Sequence, residues 1–76
     1  MNFLELETFI AIVRLKSISK AAESLYISQS AAGQRLISLE KEIGYDLIER
    51  RKGYKTIELT SKGKLFLPLA EKELAL

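Results

Sequence analysis

A chain of 76 residues with 47% apolar content makes one small globular domain and is too apolar for a disordered tail. Cysteine and histidine are both absent, which excludes a disulfide framework, thiolate and imidazole metal sites and the commonest general base, so no catalytic residue, metal or cofactor is expected. The net charge of +2 is unevenly spread: residues 1–13 hold Glu5 and Glu7 and no base, whereas residues 50–64 hold Arg50, Arg51, Lys52, Lys55, Lys62 and Lys64 against Glu58 alone, a local +5 that suits a polyanion such as DNA.

The first twelve residues are apolar but carry acids where a secretory leader carries positive charge. No apolar run is long enough to span a bilayer. The expectation is a cytoplasmic domain with no membrane contact. Leu6, Phe9, Ile10 and Val13 fall at i, i+3, i+4 and i+7, predicting a first helix from about Phe3 to Lys16. Ser19 is the expected N-cap of a short second helix running to about Leu25, with Ala21 and Ala22 leaving room for close helix packing. Leu25 and Ile27 are expected in the core on either side of a tight turn.

Ser28 predicts the N-cap of a third helix, from Gln29 to about Ile43. Its buried stripe is Ala32, Leu36, Leu39 and Ile43, and Gly44 is placed to end it in the left-handed conformation. The opposite face presents Gln29, Ser30, Gly33, Gln34 and Ile37, flanked by Arg35 and Ser38, with acids only at the far end in Glu40 and Glu42. Residues 46–60 then read as a short antiparallel hairpin turning near Gly53, with a basic tip: a wing. Arg50 is read as a structural partner of Glu40 or Glu42 ahead of a DNA contact. Thr60 caps a last helix from Ser61, whose apolar face of Leu65, Phe66, Leu69, Ala70 and Leu74 is too wide for intradomain packing alone. Pro68 inside it predicts a kink or a helix that starts in two pieces.

Two helices joined by a three- to four-residue turn, the second with a polar outer face, form a helix-turn-helix. Its second helix fits a major groove. Gln29 and Gln34 are the best base readers, because an amide both donates and accepts and so matches adenine N6 and N7. Arg35 and Ser38 suit phosphates, which position without specifying. Lys20, Ser28 (after its capping role) and the wing residues Arg51, Lys52 and Lys55 complete the expected backbone contacts. The overall expectation is a mainly α fold with a small β-hairpin wing, a winged helix-turn-helix followed by a linker helix.

Three ordered blocks resemble the LysR-type transcriptional regulators. They are Ala21-Ala22-Glu23-Ser24-Leu25-Tyr26-Ile27-Ser28-Gln29-Ser30-Ala31, then Leu39-Glu40-Lys41-Glu42-Ile43-Gly44-Tyr45-Asp46-Leu47-Ile48-Glu49-Arg50, then Leu59-Thr60-Ser61-Lys62-Gly63. The resemblance implies an N-terminal domain that binds double-stranded DNA, with base-reading positions falling on Gln29, Ser30, Gly33 and Gln34. It implies a wing, residues 50–56, on the backbone or minor groove. It divides the chain into residues 1–60, the DNA-reading domain, and residues 61–76, the start of a linker helix that pairs with its copy in a homodimer through Leu65, Phe66, Leu69 and Leu74. It further implies a larger domain beyond these residues, through which alone a small-molecule effector would act. Ser30 stands where the family commonly has proline, Gly33 where it has serine, Gln34 where it has arginine or lysine, and Ile48 where it has phenylalanine. The alternative is a winged-helix protein-interaction module, which predicts an acidic or apolar third-helix face and a neutral wing; this sequence has neither.

Overall fold

A computed structural model describes residues 1–50 and 56–75. Four helices follow in order: α1 (Phe3–Leu15), α2 (Ile18–Ser24), α3 (Gln29–Ile43) and α4 (Ser61–Leu74). Between α3 and α4, Ile48 and Leu59 form an antiparallel bridge. The Glu49 amide donates to the Glu58 carbonyl at 2.8 Å and the Thr60 amide to the Leu47 carbonyl at 2.9 Å, so the chain leaves and returns in hairpin register. The base of the expected wing is therefore present. Its tip, with Arg51, Lys52, Gly53 and Lys55, lies outside the described residues.

Helix α1 packs against all three other helices. That explains why its buried arc is wider than the period of its sequence predicts. Leu6, Phe9 and Ile10 are buried as expected, but so are Ile12 and Thr8, while Val13 is only half-buried. Thr8 is tolerated there because its hydroxyl donates to the Leu4 carbonyl at 2.7 Å and accepts from Arg35 Nη1 at 3.3 Å. Phe9 meets the Phe66 ring, tilted 58° with centroids 5.7 Å apart. The core continues through Ala21, Leu36, Leu39, Leu47, Ile48 and Ala70. Each large side chain taken fully from water here contributes roughly 1.5–3 kcal/mol.

The second helix begins earlier than expected. Its N-cap is Ser17, whose Oγ accepts from the Lys20 amide at 3.0 Å, and Ser19 sits exposed in the first turn. The reason lies one residue back. Lys16 adopts the left-handed conformation at φ 53, ends α1 and turns the chain at once, so extended Ser17 is already placed to cap. Leu25 and Ile27, expected in the core, are half-buried, because the turn they flank lies at the surface.

The third helix has the expected ends: Ser28 Oγ accepts from the Ala31 amide at 3.0 Å, and Gly44 stops it at φ 91. Its buried stripe is Ala32, Leu36, Leu39 and Glu40, with Ile43 half-buried. The last helix runs from Ser61 to Leu74 with Pro68 inside it, so the expected two-piece start does not form. Lys64 and Pro68 are both exposed, so water can take the Lys64 carbonyl that the proline leaves without an amide. Gly63 in its first turn has a packing role: a Cβ there would lie 2.2 Å from the Leu47 carbonyl oxygen. The helix can approach the hairpin only because the side chain is missing.

Candidate nucleic-acid interface

The helix-turn-helix is formed by α2, the four residues Leu25 to Ser28, and α3. Small Ala21 and Ala22 on α2 and Ala32 on α3 are all buried, which lets the two helices come close. This contact turns the other side of α3 outward. Gln29, Ser30 and Gln34 are exposed, and Gly33 is half-buried. No atom lies within 4 Å of where a Gly33 Cβ would stand, so the fold itself has no need of glycine there. Ile37, on the same outward side, is also exposed. The first turn of α3 contains no acid, and its end carries the positive helix pole. A first turn of this kind, with neutral hydrogen-bonding side chains and no carboxylate, suits approach to a polyanion.

The expected backbone contacts divide by position. Lys20 and Ser28 are exposed. Arg35 and Ser38 are half-buried, and Arg35 spends one guanidinium nitrogen on Thr8. Arg51, Lys52 and Lys55 lie outside the described residues. Arg50 serves inside the fold: its Nη2 donates to Glu40 Oε1 at 2.6 Å and its Nη1 to the Ile48 carbonyl at 3.2 Å. The other Glu40 oxygen accepts from the Leu47 amide at 2.7 Å and the Ile48 amide at 3.3 Å. This carboxylate is only 6% exposed, yet fully partnered, and it ties the far end of α3 to the base of the wing. Glu42, the other acid considered for Arg50, instead meets the N-terminal amine, and its carboxylate holds that amine above its ordinary pKa range.

The expected dimer residues also divide. Leu65 and Leu69 are 71% and 63% exposed and lie one turn apart on α4. Phe66 faces inward against Phe9, and Leu74 is half-buried against the same core. The outward apolar stripe is therefore narrower than the four residues expected.

Sequence reasoning passed over two features. The sequence offers Glu40 only as an alternative to Glu42 for pairing with Arg50, and its burial and its hold on the Leu47 and Ile48 amides go beyond that, although its place next to Leu39 in the buried stripe is a usable signal. Tyr26 stands in the sequence only as part of a motif. It is 95% exposed, and no pattern in the sequence marks it out.

The family model for the bacterial regulatory helix-turn-helix protein, lysR family, matches residues 3–64. The chain belongs to the lysR family. A relative is the HTH-type transcriptional regulator HdfR of Escherichia coli, 41% identical over 66 residues; the match covers 87% of this chain and 23% of that protein. The chain thus spans about a quarter of the length of the curated relatives it matches. Among solved structures, a BenM DBD in complex with catB site 1 DNA superposes with a TM-score of 0.90 at 33% identity, covering 99% of this chain and 82% of that one. A CbnR DBD in complex with DNA gives 0.88 at 35% identity, covering 97% and 83%. Corynebacterium glutamicum OxyR gives 0.88 at 36% identity, covering 96% of this chain and 22% of that one. The winged helix-turn-helix of the lysR family is therefore the fold of this chain. Among the described residues, no helix is long and apolar enough to cross a membrane.

Proposed function

We infer that this chain binds double-stranded DNA sequence-specifically, as the DNA-reading part of a transcriptional regulator. The outward, acid-free first turns of α3 carry this reading, set on a fold whose near neighbours at 33% and 35% identity are DNA complexes. Helix α3 enters the major groove, where Gln29 and Gln34 read base edges and Ser30 and Gly33 allow close approach. Lys20, Ser28, Arg35 and Ser38, with Arg51, Lys52 and Lys55 of the wing, hold the phosphates.

Residues 1–60 form the DNA-reading unit, and α4 pairs two copies through Leu65 and Leu69. A two-fold pair places two α3 helices on two half-sites, so the operator is an inverted repeat. The test is selection of binders from a random duplex pool. The expected result is an enriched inverted repeat, with binding that falls steeply with salt. Retention without any enriched sequence would remove the specific reading and leave phosphate binding only. No retention at low salt would overturn DNA binding altogether.

A further inference from the structure

Tyr26 has no role in the fold that its side chain can explain. The residue is 95% exposed, and its side chain makes no hydrogen bond, ion pair or ring contact with any described residue. Its backbone lies at φ 58, a left-handed conformation that costs any residue bearing a Cβ and that glycine or asparagine adopts more cheaply. The turn itself demands this conformation. The Leu25 amide donates to the Ala21 carbonyl at 3.0 Å, the Tyr26 amide to Glu23 at 3.2 Å and the Ile27 amide to Ala22 at 3.0 Å, so the chain is locked on both sides. The fold therefore requires positive φ at position 26 but does not require a tyrosine. A strained residue holding a large amphipathic side chain wholly in water points to a partner outside the chain.

The place of the turn identifies that partner. Tyr26 precedes the Ser28 N-cap of α3 by two residues, next to exposed Ser28, Gln29 and Ser30. A duplex that takes the first turn of α3 into its major groove brings one sugar-phosphate strand across the segment leading into that helix. A phenol offers this strand one neutral hydroxyl donor at the end of a rigid ring.

We propose that Tyr26 is a DNA-backbone contact, its phenolic hydroxyl donating a hydrogen bond to a phosphate oxygen at the edge of the groove. The proposal rests on the DNA reading above and adds a residue to it. A phosphate contact of this kind positions α3 without specifying sequence. Because the phenol is uncharged, it displaces no counterion.

The test compares wild type with Tyr26→Phe, Tyr26→Gly and Lys20→Ala on two probes, the duplex enriched by selection and a random-sequence duplex of equal length, over a salt series. Tyr26→Phe is expected to weaken both duplexes about fivefold to tenfold, with the salt slope unchanged. Lys20→Ala is expected instead to reduce that slope by about one. Tyr26→Gly is expected to weaken binding at least as much as Tyr26→Phe while its Tm stays level or rises, since the strain is relieved. Wild-type affinity in Tyr26→Phe, whatever Tyr26→Gly does, would overturn the proposal while leaving the DNA reading intact. Loss confined to the enriched duplex would also overturn it, since that is the mark of a base contact. Failure of the wild type to hold either duplex at low salt would overturn both together.

Discussion

The two ends of α3 are built for opposite purposes. At the far end, Glu40 is buried and saturated: its two oxygens accept from two backbone amides and from Arg50, binding helix and wing base into one rigid body. At the near end, Gln29, Ser30 and Gln34 stand in solvent, and Gly33 leaves open space above the helix. One end holds polar groups that the fold satisfies, and the other holds polar groups left for something else to satisfy. A single helix thus joins a fixed anchor to a free reading surface, and the anchor sets where that surface points.

This contrast breaks most severely at the anchor. Glu40→Ala leaves the Leu47 and Ile48 amides without their acceptor and Arg50 without its carboxylate. We expect a loss of about 3 kcal/mol of stability in chemical denaturation, with Arg50 being half in water keeping the loss toward the lower part of the range for broken buried pairs. A change under 1 kcal/mol would show that the network is incidental. At the reading end the effect should move from stability to binding. Gln29→Ala is expected to leave stability within about 0.5 kcal/mol of wild type and to cost about 1–3 kcal/mol of discrimination between the selected operator and a variant at the base it reads. Equal discrimination in a competition binding assay would remove Gln29 from the reading set. Gly33→Ala sharpens the comparison with the smallest effect. The new methyl meets open space, so the helix should gain about 1 kcal/mol from propensity alone, seen as a raised Tm. Unchanged operator binding in that variant would show that the glycine is not needed for close approach to DNA.

Much of this architecture is legible because its signals are local. Ser28 and Gly44 mark the ends of α3 through hydrogen bonding and positive φ, and both act over a few residues. Thr60 caps α4 in the same way, accepting from the Gly63 amide at 2.9 Å. Where two local signals compete, the reading fails: Ser17 and Ser19 both suit an N-cap, and the left-handed turn at Lys16, which chooses between them, leaves no mark in a lysine. Of the two outcomes read from Pro68, a kink or a two-piece start, the two-piece start does not form, for a related reason. A helix interior proline is costly when its freed carbonyl is buried, and at Lys64 the freed carbonyl belongs to an exposed residue.

Local signals in the sequence specify the four described helices, the outward polar face of α3 and the antiparallel pairing at the base of the wing, because caps, turn residues and hydrophobic period act between near neighbours. Tertiary structure alone decided how much of each apolar stripe is covered. It sent Phe66 inward to Phe9 and left Leu65 and Leu69 outside, and it buried Thr8 and Ile12 because α1 packs against three other helices. It also turned Glu40 from a surface acid into an anchor and demanded a glycine at position 63. Period gives the direction of a face, but its width and its polar exceptions depend on which distant segments pack against it.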